Sequence, residues 1–445
     1  MNVQNFIHEL SYSDLPAPVA ALARRCLLDL VGVAASGRRT ELARIVTNNA
    51  ARHFGAGEGR GARMIFDGRR VSPVGAAYAG ASLIDSFDAH DGHALTKGHA
   101  GVAILPALLA FWEGENLALD DREVLTSIVI GYEIATRAGI ALHASACDYH
   151  TSGAWNSLAC AALGARLMKL SSAQTREALG TAEYHGPRSQ MMRCIDYPTM
   201  LKDGSGWGAL VGVSAAYLAA DGFTGAPALT MEAPGQQSLW GDLGSRWMIL
   251  EQYFKPYPVC RWAQPAVEAA RRLMAEHGLT GADIADVEVR TFAEAVRLAS
   301  ARPATTEEAQ YSLPFPLAAM ILRGRIGADE ITGAGLRDEE VLNLSASIRL
   351  VEEPEICARF PAERFAVVSL GTRDGRRFTS EWTEAHGGPA DPLSDAEIAT
   401  KYRALAGRLG DNRRQAIETL VAGMGTGAPA ADLAELVLEP IGEAA

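Results

Sequence analysis

The segment from Asp85 to Pro106, DSFDAHDGHALTKGHAGVAILP, limits the possible folds more than any other part of the chain. It places Asp85, Asp88, His90, Asp91, His93, Lys97 and His99 within fifteen residues, between the apolar runs YAGASLI and VAILPALLAFW. Such flanks bury as helices, so the polar segment between them reads as a loop turned inward rather than a solvated one. Ionisable groups removed from water are costly unless they are paired or put to use. The rest of the chain reads as scaffold and complement for this loop.

Much of the remainder has a small-residue helical style. Asp14-Leu15-Pro16 opens PVAALARRCLLDLVGVAASG, whose apolar positions keep helical spacing until Gly37. Ser72-Pro73 opens the Ala- and Gly-rich VGAAYAGASLIDS, and Asp120-Asp121 precede the long apolar REVLTSIVIGYEIATRAGIALH. TSGAWNSLACAALGARLMKL and GALVGVSAAYLAADG continue the pattern. After about residue 270 the character changes. ADVEVRTF, SASIRLVEE and RFAVVSLGTRDGRRFTSEW alternate like strands, and Asp374-Gly375 predicts a type I′ hairpin. SLPFPLAAMILRG and ADEITGAGL read as helices among them, and Ser394-Asp395-Ala396-Glu397 is a capping box that restarts helix. The expected architecture is mainly α: an all-α domain over 1–268 and 393–445, with a smaller α+β lid domain over 269–392.

At 445 residues the chain is long enough for two such domains, and 48% hydrophobic with 21% charged residues is ordinary for a globular enzyme. A net charge of −12 without a basic stripe argues against nucleic acid. The six cysteines are scattered without a CxxC pair, as expected of reduced thiols in the cytoplasm. No signal-like start and no run of about 18 apolar residues free of charge or glycine is found, so no membrane span is expected.

Several stretches carry more chemistry than a scaffold needs. Within the loop, His90-x-x-His93 and His99 offer metal ligands together with Asp88 or Asp91, but the spacing matches no structural zinc pattern. No metal and no cofactor are therefore expected. Asp148-Tyr149-His150-Thr151-Ser152-Gly153 places a histidine at a helix entrance, suited to proton transfer or anion contact, although Thr151 or Ser152 also serves as a cap. EYHGPRSQMMRCIDYPTMLKDGSGW supplies Arg188, Arg193 and Lys202 as carboxylate clamps. FKPYPVCRWAQP supplies Lys255 and Arg261 on a rigid, proline-fixed segment that equally reads as an interdomain linker. GSGWGA, GEGRG and GMGTG fail the strand–turn–helix context of a dinucleotide site.

The order DSFDAHDGH…KGHAGVAILPALLA, YHTSGAWNSLACAALGARL, MLKDGSGWGALVGVSAAYLAADGF and FKPYPVCRW resembles the MmgE/PrpD family. That family includes 2-methylcitrate dehydratase, cis-aconitate decarboxylase and iminodisuccinate epimerase. The resemblance implies a large helical domain, a smaller α+β lid and a homodimer. Its acidic motif falls on Asp88 and Asp91, its two histidines on His99 and His150, and its two lysines on Lys202 and Lys255. Where many relatives have histidine after F-K-P-Y-P-x-C, this chain has Ala263-Gln264-Pro265. Where many have K-x-x-H-x-G, it has Lys202-Asp203-Gly204-Ser205-Gly206. The opening loop is also longer and richer in histidine than the usual D-F-D-D-T-H.

The resemblance implies proton movement at a carbon next to a carboxylate. The expected catalytic set is Asp88, Asp91, His99, His150 and Lys202, with His93, Arg188, Lys255 and Arg261 binding a small carboxylate. The leading expectation is a cofactor-independent, dehydratase-like lyase of a di- or tricarboxylate. An epimerase of an aspartate-derived or similar dicarboxylate, a metal-dependent hydrolase on His90, His93 and His99, and a silent carboxylate binder are the alternatives.

Overall fold

A computed structural model describes residues 1–442, with 55% of the chain helical and 9% in strands. The chain divides into two compact units. The first holds Met1–Met191, Asp203–Gln252 and the chain from Ser394 onward; the second holds Met192–Lys202 and Tyr253–Leu393. The mainly α class with a smaller α+β part is thus present.

The first unit is built from α1 (Ala17–Gly37), α2 (Pro73–Asp85), α3 (Gly101–Gly114), α4 (Asp121–Ser145), α5 (Gly153–Leu167) and α6 (Ser205–Ala220). Their starts follow local chemistry. The Ser72 side chain accepts from Gly75 N ahead of Pro73, and the Asp120 side chain accepts from Glu123 N. α4 is long and apolar enough to cross a membrane by length and composition, but 94% of its apolar window is buried within the protein, as befits a core helix.

Close approach explains the small residues. A Cβ on Gly212 of α6 would meet Ser157 O at 2.3 Å and Cys160 Cβ at 2.5 Å, both on α5. The two helices pack at a distance that only glycine permits there.

In the second unit, α7 (Gln264–His277) and α8 (Pro314–Arg323) accompany a sheet of β1 (Ile284–Thr291), β2 (Arg349–Glu352), β3 (Phe365–Thr372), β4 (Arg377–Thr379) and β5 (Thr383–Glu384). The order is β2-β1-β3-β4, with β5 also on β3; β1 and β2 run parallel and the other pairs antiparallel. The β3–β4 hairpin forms at Asp374-Gly375, but not as type I′. Gly375 N donates to Thr372 O (3.0 Å), and Gly375 alone takes positive φ (89°) while Asp374 keeps φ negative. This is a turn closed by a left-handed glycine, the three-residue hairpin alternative. Residues 328–334 form turns and bends and only Gly335–Arg337 makes a 3-10 turn, in place of the expected helix; Gly333, at φ 53°, interrupts the stretch. SASIRLVEE splits, its first residues ending a helix and only Arg349–Glu352 joining the sheet.

The chain returns to the first unit through α9 (Asp395–Leu405), started by the expected Ser394/Glu397 capping box. α9 runs in the same direction as α1. Arg25 Nε lies 2.5 Å from Asp395 Oδ1 near one end of this seam, and Ser36 Oγ donates to Leu405 O (2.9 Å) near the other.

Replacing Gly212 with valine should force α5 and α6 apart. The expected loss is about 1–3 kcal/mol, read as a lower urea midpoint with an unchanged slope.

Candidate active site

The loop that joins α2 to α3 is buried as its sequence implied: Asp88, His90 and Asp91 are each at most 1% exposed. Its backbone has little regular structure, so side chains fix it. His99 is tied at three points. Its Nδ1 bonds Asp91 O (2.6 Å), its N–H donates to Ser152 Oγ (3.0 Å), and its carbonyl accepts from Asn156 Nδ2 (3.0 Å). A carbonyl only accepts, so Nδ1 carries the proton, and in the neutral ring Nε2 is left with its lone pair. That Nε2 lies 3.7 Å from Asp203 Oδ2. Ser152 Oγ also donates to Asp203 Oδ2 (2.8 Å). Ser152 therefore links the backbone of His99 to the carboxylate that faces its ring.

His90 packs edge-on against His99, with ring centroids 4.3 Å apart, and its Nε2 lies 3.6 Å from Asp88 Oδ1 and 3.9 Å from Asp85 Oδ1. Asp85 also accepts from Ser205 N at the start of α6 (3.2 Å). Asp91 Oδ2 accepts from Tyr132 OH (2.5 Å), and burial, then the Asp91 charge, hold that phenol well above its ordinary range. The donor atoms of Asp88, His90 and His99 lie within 4.8 Å of one another, so this trio has the composition of a three-ligand metal site.

His93 points elsewhere. Its Nε2 is 3.4 Å from Glu251 Oε2, and this contact is the main reason the Glu251 carboxyl is pulled down to about 2. Glu251 also pairs with Arg246 (2.8 Å). His93 thus leaves the metal-like trio expected from spacing and joins an acidic partner from the 246–251 segment.

His150 is half-buried at the entrance to α5. Its amide donates to His143 Nε2 (3.0 Å), and the two rings stack at 6.4 Å. Burial lowers the His150 pKa. Burial, then the charge of Lys97, lowers that of His143 to about 4. Arg188 is 46% exposed and pairs with Glu183 (3.3 Å).

The expected cations of the second unit are buried within it. Lys202, at φ 49°, donates to Gln310 Oε1 (2.8 Å) and lies 4.4 Å over the Tyr311 ring. Lys255 is fully buried. Arg261 donates to the carbonyls of Phe254 (3.3 Å), Ala385 (2.8 Å) and His386 (2.8 Å), and burial lowers its pKa to about 10. Its donors are engaged in joining the 254–264 segment to residues 385–386.

Sequence reasoning missed Asp203, Ser152, Tyr132 and His143. Asp203 sits beside Lys202 in KDGSG, where an acid before a helix reads as a cap. Ser152 was assigned as a cap of α5, yet makes no side-chain capping bond there.

The buried histidine–carboxylate cluster lies in the helical unit of a chain that also carries an α+β unit. Residues 2–240 match the model of the MmgE/PrpD N-terminal domain, and residues 257–424 match that of the MmgE/PrpD C-terminal domain. The chain belongs to the MmgE/PrpD family. It is 25% identical to human cis-aconitate decarboxylase over 436 residues, covering 91% of this chain and 86% of the relative. It is 24% identical to a cis-aconitate decarboxylase-like protein of Aspergillus oryzae (97% and 96% covered), and 23% identical to a cis-aconitate decarboxylase of Aspergillus terreus (97% and 94%).

His143 stays neutral in the folded protein down to about pH 4, whereas the unfolded chain takes up its proton near 6.5. Between these values the unfolded chain binds more protons. Stability from this group is complete above 6.5 and is lost as pH falls toward 4. His150 shifts the same way and shares the slope. Urea midpoints at about pH 7.5 and about pH 5 should fall less on acidification for His143→Gln than for the parent.

Proposed function

We propose that this protein is a lyase of a small di- or tricarboxylate, acting by proton abstraction next to a carboxylate followed by loss of water, without a cofactor. The observation that carries the reading is the His99 tautomer. With Nδ1 committed to the Asp91 carbonyl, the Nε2 lone pair is available to accept a proton beside Asp203. A carbon next to a carboxylate is a weak acid, so the site must also stabilise charge as it develops on the carboxylate oxygens. His93, held by Glu251, is assigned to substrate recognition. The Asp88 carboxylate faces His90, and the Asp91 carbonyl orients His99.

The relatives bearing the name cis-aconitate decarboxylase support the carboxylate class. Decarboxylation and proton abstraction produce the same kind of carbanion, and each needs one proton carrier. Epimerisation needs two, one on each face, and His150, whose lowered pKa favours the neutral ring, is the second candidate. A second reading, a metal-dependent hydrolase, rests on the closeness of the Asp88, His90 and His99 donor atoms.

The test is proton and carbon NMR in deuterated water, with purified protein and citrate-like, tartrate-like, aspartate-derived and cis-aconitate-like acids. Appearance of an alkene product supports elimination, loss of carbon dioxide indicates decarboxylation, and deuterium in recovered substrate without product indicates epimerisation. His99→Gln should lower the active reaction by roughly 10²–10⁴-fold while the protein stays folded. Stoichiometric zinc or manganese, with activity lost to chelator, would overturn the cofactor-free reading.

A further inference from the structure

Two carbonyls of the buried loop are held by side chains, one from within the loop and one from α9. Asp91 O is held by His99, and Ala89 O accepts from Lys401 Nζ of α9 at 2.6 Å. The same ammonium lies 2.6 Å from Asp29 Oδ1 of α1, with side chains 9% and 0% exposed. Lys401 thus bridges a buried carboxylate and the carbonyl between Asp88 and His90.

The α1–α9 seam has other polar contacts toward its two ends, Arg25 with Asp395 and Ser36 with Leu405 O. A buried lysine–aspartate pair is also poor as a stabiliser, since apolar residues of similar volume often do as well or better. The additional bond to Ala89 O gives it a second task. Around Ala89 the local backbone bond is Ala89 N to Phe87 O (2.7 Å), so a fixed ammonium on its carbonyl restricts the peptide plane there. That plane sets ψ of Ala89 and φ of His90, so its displacement redirects the His90 side chain and, through it, the His90–Asp88 contact.

We propose that Lys401, oriented by Asp29, is a positioning residue for the acid/base loop, setting where Asp88 and His90 stand against His99. The inference rests on the reading of that cluster as the reacting centre. It makes the C-terminal return of the chain part of the active site.

The test compares Lys401→Met, Lys401→Arg and the parent by three readouts: thermal melting, imidazole resonances of protein labelled with 15N-histidine, and turnover of whichever acid the parent processes. Arg166→Met, which removes the Arg166–Glu123 pair (2.6 Å) and the bonds to the Ile7 and Leu10 carbonyls, is the control for loss of a cation with carboxylate and carbonyl partners away from the loop. Lys401→Met should shift the His90 and His99 resonances and lower kcat by roughly 10–10²-fold with little change in KM, as expected of a displaced reacting group. Lys401→Arg should restore both, and Arg166→Met should lower melting without moving either. Unchanged His90 and His99 resonances in Lys401→Met, with melting lowered, would overturn the proposal and leave Lys401 a structural ion pair. If Lys401→Met does not fold, Asp29→Asn, which keeps the ammonium and loosens its anchor, is read by the same resonance criterion. If the parent turns over no acid, the lyase reading fails, while the resonances still decide the role of Lys401.

Discussion

Desolvation of the loop between α2 and α3 is the constraint on which the first unit depends. Asp85, Asp88, His90, Asp91, His93, Lys97 and His99 are all at most 7% exposed. In water such groups would be fully hydrated; inside the protein every lost water must be replaced by a fixed dipole or an opposite charge. The replacements come from widely separated chain positions: Tyr132 for Asp91, Ser205 N for Asp85, Glu251 for His93 and Lys401 for the Ala89 carbonyl. The loop cannot keep this arrangement unless those elements are already in place, so folding of the helical unit and assembly of the cluster are one event.

The same constraint accounts for the composition of the surrounding helices. A Cβ on Gly101 would stand 2.1 Å from Tyr132 OH and 2.9 Å from Asp91 Oδ2. The hydrogen bond from Tyr132 that replaces water on Asp91 therefore needs the glycine at the start of α3. Glycine lowers helix propensity, and the loss is offset by helix contacts close enough to enclose the polar groups.

What was legible in the sequence was what depends on near neighbours. The caps of α2, α4 and α9 lie within three residues of the amides or partners they serve, and they formed as expected. The buried loop was legible because its polar density contradicts its apolar flanks. Misreadings arose where a local signal had two solutions: Asp374-Gly375 fits more than one tight turn, and two glycines outweighed the apolar spacing of 328–336. Asp203, Glu251, Tyr132 and Lys401 carried no usable local signal. Each acts on the loop across more than thirty residues of chain, and an isolated acid, phenol or lysine in a helix looks the same whether it faces water or a buried partner.

The tautomer of His99 has a consequence for the chemistry of the proposed reaction. A histidine donating Nδ1–H to a backbone carbonyl keeps that proton at every stage, because the carbonyl cannot accept it outright. Only Nε2 then exchanges protons, and it does so beside Asp203, whose hydrogen bond from Ser152 keeps the carboxylate oriented toward the ring. A positive charge formed at Nε2 meets a fixed negative charge at 3.7 Å, so taking up a proton is favoured as the substrate carbanion forms. The same Nε2–H is then placed to return the proton or to protonate a leaving hydroxyl. One nitrogen of defined protonation is sufficient for elimination or decarboxylation. A change of net reaction within this arrangement therefore requires a second proton carrier on the opposite face or a different leaving group, and no rebuilding of the buried loop.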